Sequence, residues 1–266
     1  MGKLFAVVVT IITLVSAAIF VTRVWWLPPD ISVLGSGIDR QLSETLVATG
    51  VLFVAAQLVL AFFVWRFGDS GDGRKVRIFP GGATPMVVIA SVLVSAEILV
   101  LTFVGTRIWS SIYMSEPDPN SLRIDVQAEQ FAYYFRYPGP DGKFGVTHPE
   151  MIDEGNDNIF GLDPANDVTA RDDIISATLA VPVGRPVLLT MRAKDVGHAF
   201  YVPKLRIQQD IVPGLAVPIH FTATQAGKSE IVCTQLCGLG HFNMRAYLEV
   251  MAPDQFDQWL KDQSAQ

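Results

Sequence analysis

The run Cys233-Thr-Gln-Leu-Cys237-Gly-Leu-Gly-His241-Phe-Asn-Met244 stands between two short β-type runs, 229–232 and 246–250, and holds both cysteines of the 266-residue chain. One loop thus delivers two thiolates, an imidazole and a thioether. Soft sulfur with imidazole selects copper, whereas magnesium or calcium want oxygen and a thioether gives no reason to choose zinc. Gly238 and Gly240 let the loop fold back so that His241 and Met244 face the sulfurs. A second imidazole, His198, lies upstream in Asp195-Val-Gly-His198-Ala-Phe-Tyr-Val-Pro203, at the end of another predicted strand. A metal ligated so fully has no open position for substrate, which suits electron transfer better than bond-making. The competing reading is a disulfide between Cys233 and Cys237, which the short gap allows and which leaves His241 and Met244 as packing residues. The joint spacing C-x3-C-x3-H-x2-M, with His198 upstream, favours the metal.

Outward from the loop, residues 110–266 read as short β-type runs (122–127, 131–137, 177–181, 186–192, 216–222) punctuated by Gly, Pro, Asn and Asp. That spacing predicts an antiparallel sandwich or barrel, not a parallel α/β sheet. The acidic tract 141–173, introduced by Pro138-Gly-Pro-Asp141, reads as a long insertion. A short closing helix starts at Pro253, with Phe256, Trp259 and Leu260 as its apolar stripe. No internal repeat is evident.

Residues 1–109 have a different texture and read as a membrane anchor. Segments 4–22 and 45–65 contain no Asp, Glu, Lys or Arg, and segment 84–106 contains only Glu97. Each is long enough, at 1.5 Å per residue, to cross a hydrocarbon core of about 30 Å. Two or three transmembrane helices are therefore expected, because 4–22 also reads as a signal peptide: Lys3 precedes it and Ser16-Ala17-Ala18 lie within it. Against cleavage, no A-x-A pattern precedes a polar start, and the apolar run continues through Trp25-Trp26. Arg66, Arg74, Lys75 and Arg77 put the 66–77 connection on the cytoplasmic side and everything after Arg107 outside. Glu97 reads either as a protonated carboxyl bonded to a neighbouring helix or as a proton-pathway group facing a larger membrane subunit.

Composition agrees with this division. Half the residues are apolar, 17% are charged and mean hydropathy is +0.35, values that exclude disorder. Residues 1–109 carry net charge +2 and residues 110–266 net −8. The acidic outer half argues against nucleic acid and for a positively charged partner.

The copper-type loop, the upstream Asp195–His198 run, Asp210, Val212-Pro-Gly214 and the helices-first organisation together resemble subunit II of the haem-copper cytochrome c oxidases. The resemblance implies a cupredoxin-like Greek-key sandwich on the periplasmic face of a bacterial cytoplasmic membrane. It implies a binuclear CuA centre with Cys233 and Cys237 bridging both coppers, His198 and His241 binding one each, Met244 as a weak ligand and Gln235 contributing its carbonyl. The centre would accept electrons from cytochrome c or another cytochrome donor and pass them to haem in subunit I. There dioxygen is reduced to water, coupled to proton translocation. Relatives carry Glu where this chain has Gln235; an amide offers a hard dication a weaker oxygen, which weighs against the family's interfacial magnesium. In Gln130-Phe131-Ala-Tyr133, Phe131 stands near the family's exposed Trp, so Phe131 and Tyr133 are candidates for electron uptake, with β-strand core as the plainer reading. The family's carboxylate near the start of the last membrane helix is missing from Phe79-Pro-Gly-Gly-Ala-Thr-Pro85, and Glu97 lies deeper. No C-x-x-C-H haem attachment site occurs in these residues, so a fused cytochrome c domain is not expected. The alternative is a membrane-anchored copper-delivery protein, which ordinarily needs alternating helices and strands that this outer half lacks.

Overall fold

A computed structural model describes residues 2–68 and 84–264, and these divide into two compact units. Unit 1 comprises residues 2–27 and the described part of 37–109; unit 2 comprises Pro28–Ser36 and the described part of 110–266. The basic run Arg74-Lys75-Val-Arg77, on which the orientation argument rests, lies outside the described residues, as does most of 79–85.

The described part of unit 1 is drawn from three helices, α1 (Gly2–Thr22), α2 (Gly35–Phe67) and α3 (Thr84–Tyr113), residues 35–36 and 110–113 of the last two being counted with unit 2. Each holds a span apolar and long enough to cross a bilayer, with nearly all of its side chains facing outward. Lipid-facing leucines, valines and phenylalanines are what such a span requires. The small residues Ala6 and Ala61 are buried, and both line the groove shared by α1 and α2.

The helices outrun their apolar segments. α2 starts ten residues before the expected 45, through Asp39, Arg40 and Glu44, and α3 continues to Tyr113 rather than 106. Charge marks the edge of the hydrocarbon, not the end of the helix, whose backbone bonds continue wherever no proline or cap intervenes. The start of α2 is fixed by Ser32, whose hydroxyl accepts the Gly35 amide at 2.8 Å.

Pro28–Ser36, read from sequence as part of the anchor, packs with unit 2. The Ile31 amide donates to Lys204 O at 2.9 Å, Thr224 N donates to Ile31 O at 2.8 Å, and the Ile31 side chain is buried.

Unit 2 is a sandwich of two five-stranded sheets. Its strands are β1 (Leu122–Glu129), β2 (Ala132–Tyr137), β3 (Ile174–Ser176), β4 (Thr178–Pro182), β5 (Pro186–Ala193), β6 (His198–Val202), β7 (Ile207–Ile211), β8 (Val217–Thr222), β9 (Gly227–Val232) and β10 (Arg245–Met251). One sheet runs β3-β2-β1-β5-β8 and the other β4-β10-β9-β6-β7. Most pairs are antiparallel, as expected, but β1 with β5 and β4 with β10 are parallel. The chain changes sheets between β3 and β4 and again before β5, so β5 returns beside β1 in the same direction; period-2 patterning carries no record of that crossover. Ile124, Val126 and Leu189 of one sheet meet Phe200, Ile231 and Leu248 of the other in a common core. The closing helix α4 (Pro253–Ser264) buries Phe256 and stacks it on Trp259, which meets Tyr137 edge-on at 5.1 Å.

The acidic insertion is folded and covers the outer face of the β1–β2 hairpin. Ile159, Phe160, Leu162 and Ala170 make a small core against Tyr134 and Ile175. Gln127 Nε2 donates to Ile159 O at 2.6 Å, and Lys194 bridges Glu129, at 2.9 Å, to Glu154. Covering this second face explains why β1 buries Gln127 and Glu129 as well as its core residues. At the centre, buried Arg136 pairs with Asp125 at 2.8 Å and Asp173 at 3.4 Å and lies against the rings of Phe144 and Phe160.

Burial pushes the Asp173 carboxyl up to about 6, with Asp172 and Asp125 adding to the rise and the Gly145 amide and Arg136 opposing it. The folded state therefore holds this proton more tightly than the unfolded chain. Its contribution to stability is fully present below the unfolded value near 4 and is lost as pH rises through about 6, a change on the order of 2 kcal/mol. Asp173→Asn is expected to remove that slope. Melting of both proteins between pH 4.5 and 7.5 checks it, and a wild-type-minus-variant difference that stays constant with pH contradicts it.

Candidate metal centre

β9 ends at Val232 and β10 begins at Arg245, so the twelve-residue loop is the connection of an antiparallel hairpin. Its neck is closed by the Cys233 amide, which donates to Met244 O at 3.2 Å. Within it the His241 amide donates to Gly238 O, and residues 241–243 form one 3-10 turn that carries His241 back toward the cysteines.

The two glycines act for different reasons. Gly238 has φ +134°, which disfavours any side chain. Gly240 has an ordinary backbone, φ −89°, but a Cβ there would lie about 2.5 Å from the Phe131 ring, so its role is close approach, not folding back.

Three donors converge on Cys237. Its Sγ lies 3.9 Å from Cys233 Sγ, 3.6 Å from His241 Nδ1 and 3.6 Å from Met244 Sδ. The donor atoms of His198, Cys233 and Cys237 all lie within 4.8 Å of one another. His198 is delivered by the first residue of β6, a strand neighbouring β9 in the same sheet. At 3.9 Å the sulfurs are unbonded and both cysteines are free, so the disulfide reading fails in this structure. Gln235 turns its carbonyl to Cys233 Sγ at 3.1 Å, while its side-chain NH2 faces Asp210 at 3.5 Å.

The electrostatics suit a soft cation. His198 is fully buried, and its Nε2 lies 2.7 Å from Asp195 Oδ1. A carboxylate can only accept, so the ring proton is on Nε2 and Nδ1 keeps its lone pair. Nδ1 is buried with no hydrogen-bond partner, which a metal would supply. Burial would raise the Asp195 carboxyl, but bonds from His198 and the amides of Gln130 and Val196 outweigh it and hold it below the usual range. Burial, reinforced by Cys233, pushes the Cys237 thiol up to about 11, so metal must displace protons to bind. Thiolates, imidazole with a free lone pair and thioether form a set that copper fits and a hard cation does not.

The other candidates fall differently. Phe131 is 39% exposed, with its ring over Gly238 and Gly240. Tyr133 is 2% exposed; its hydroxyl donates to Ala199 O at 2.6 Å and lies beside Cys233, so its ring reaches no surface. Burial, then the neighbouring sulfurs, raise its phenol well above the ordinary range and keep it neutral. Glu97 stands on α3 in unit 1, and its Oε1 is shielded and without a hydrogen bond. Gln130 and Asp195 also belong to the site, although neither is part of the ligand spacing. A carboxylate three residues before a candidate histidine ligand was the available signal for Asp195. Around the loop, Leu236, Leu239 and Phe242 are strongly exposed, so the rim is apolar, whereas carboxylates gather in the insertion.

Residues 162–251 match the family model of the periplasmic domain of cytochrome c oxidase subunit II. Over 260 residues, 97% of this chain and 91% of the relative, the chain is 28% identical to the alternative cytochrome c oxidase subunit 2 of Bradyrhizobium diazoefficiens. It is 26% identical to cytochrome c oxidase subunit 2 of Thermostichus vulcanus over 263 residues, 90% of this chain and 79% of that one. The periplasmic domain of subunit II of cytochrome oxidase from Bradyrhizobium japonicum is similar at 23% identity and a TM-score of 0.41, covering 57% of this chain and 96% of that one.

Proposed function

We propose that this chain, whose residues 162–251 match the family model of the subunit II periplasmic domain and which is similar over nearly its whole length to an alternative subunit 2, is the electron-accepting subunit of a terminal oxidase in a bacterial cytoplasmic membrane, with its sandwich on the periplasmic side. The observation that carries this reading is the convergence of His198, Cys233 and Cys237, with His198 Nδ1 buried and unpartnered.

Cys233 and Cys237 would hold the metal as thiolates, His198 and His241 through imidazole nitrogens, Met244 through its thioether and Gln235 through its carbonyl. Bound there, a CuA pair supplies one-electron storage between a cytochrome donor and the haem of subunit I, where dioxygen is reduced and proton translocation is coupled. The chain's own residues keep the donor atoms still. The hairpin neck, the β6 strand and the Asp195 carboxylate each fix one side of the cage, so little rearranges when its charge changes. Phe131 covers the loop and is open to solvent, so electron uptake is assigned to it; Tyr133 works inside, holding the β6 backbone beside Cys233. Gln235 offers no carboxylate for magnesium. Glu97 is assigned to proton conduction at the contact with subunit I, on the strength of its shielded, unpartnered Oε1 in an otherwise uncharged span.

Metal analysis and absorption spectroscopy of the full chain in detergent, loaded with copper, test the reading. Two coppers per chain with a mixed-valence visible spectrum are expected; a single Cu(I) without a visible band points to copper delivery, and no copper refutes both. Met244→Leu is nearly isosteric in its buried site, so the pair should be retained while the reduction potential rises, as potentiometric titration would show. An unchanged potential removes Met244 from the ligand set.

A further inference from the structure

Gln130, in the two-residue turn between β1 and β2, contacts both sides of the cage with different parts of one residue. Its backbone N–H donates to Asp195 Oδ2 at 2.8 Å, and its side-chain Nε2 donates to Cys237 O at 2.6 Å. Asp195 uses its other oxygen, Oδ1, to hold His198 Nε2 and the Val196 amide, both at 2.7 Å. Both carboxylate oxygens are thus engaged, and the His198 ring is aimed by a group that Gln130 itself helps to hold.

On the other side, the Cys237 carbonyl opens the peptide into Gly238, the residue with φ +134°. A Cβ at Gly238 would lie 2.7 Å from Gln130 Nε2, so the glycine is also what admits the amide. Phe131 continues the same turn over Gly240. The turn comes from the sheet that supplies no ligand, whereas His198, Cys233 and Met244 belong to β6, the β9–β10 hairpin and their sheet.

We propose that Gln130 is a positioning residue for the metal centre, coupling the Cys237 loop to the His198 ring through its amide group and its main-chain N–H. The inference rests on the copper-centre reading above and adds to it a residue that touches no metal. It has a thermodynamic consequence. The side-chain hydrogen bond holds the Cys237 peptide plane before metal arrives, so losing it makes copper organise the loop at its own expense. Partners one step removed from a metal ligand change affinity by about 10- to 100-fold.

Gln130→Met keeps length and the backbone N–H but removes the donor to Cys237 O. In the full chain in detergent it is expected to load two coppers, to lose them to a competing chelator at about 10- to 100-fold lower chelator concentration than the parent, and to show a shifted mixed-valence band. The metal-free melting temperature should not move, since the side chain lies at the surface. Gln130→Glu, which at neutral pH carries no proton to donate, should behave like Gln130→Met or worse. Parent-like copper retention and spectrum in Gln130→Met overturn the proposal. So does a copper loss matched by a fall in metal-free melting temperature, because the residue then merely supports the fold. A parent chain that binds no copper pair refutes the functional reading instead, and is recognised before any variant is compared.

Discussion

Cys237→Ser is expected to abolish the binuclear centre, with two coppers per chain and the mixed-valence spectrum both lost and electron delivery through the subunit reduced by more than about 100-fold. The bound is set by comparison: losing a partner that only orients a ligand already lowers metal affinity by about 10- to 100-fold, and Cys237 is the atom on which the cage converges. Its sulfur is the shared neighbour of Cys233, His241 and Met244. A serine hydroxyl is hard, does not ionise near neutral pH and presents the loop with the wrong donor for a soft cation. The fold should survive, since the substitution changes one buried atom at the mouth of a hairpin whose neck is held by the Cys233–Met244 backbone bond. Metal analysis, visible absorption and far-UV circular dichroism separate the two outcomes. Two coppers and full turnover in Cys237→Ser would remove the bridging assignment.

The centre was readable from sequence because its chemistry is local: five of the six proposed ligands lie between Cys233 and Met244, in a spacing that few other demands explain. The spans were readable because hydrocarbon imposes length and apolarity directly on the chain. What escaped was non-local. Asp195 and Gln130 gain their significance only when the β1–β2 turn is folded beside the loop, and the parallel β1–β5 and β4–β10 pairs require knowing where the chain changes sheets. Pro28–Ser36 lies between two membrane segments in sequence, yet its backbone bonds go to residues near 204 and 223. β3 and β7 carry too few residues or too mixed a pattern, Ile-Ile-Ser and Ile-Gln-Gln-Asp-Ile, to announce themselves. The acidic tract read as a loop because its charges mask four apolar residues that close over the sheet.

That tract sets the second large effect. Arg136→Met is expected to destabilise unit 2 by about 3–5 kcal/mol, the range for removing one member of a buried ion cluster. The guanidinium is 2% exposed, between Asp125 and Asp173, donates to Gly145 O at 3.2 Å and lies within 5.3 Å of the centres of both flanking rings. Methionine can fill the volume among those rings but leaves buried Asp173 without its cation and Asp125 with only the longer, half-exposed Arg192 pair at 3.9 Å. Asp173 can relieve part of this by taking a proton, having its carboxyl already raised to about 6, so the loss should be smaller at pH 5 than at pH 8. The cluster joins the insertion to β1 and β2, whereas Cys233, Cys237 and Met244 are held by the opposite sheet. Arg136→Met should therefore expose the insertion to proteolysis before copper is lost. Adding Asp125→Asn and Asp173→Asn removes the unpaired charges and should recover part of the stability, which an effect of lost packing alone would not allow. Chemical denaturation of the single and triple variants decides it: equal stability in Arg136→Met and the parent, or no recovery in the triple variant, would mean that the insertion is held by its apolar core and not by the buried cation.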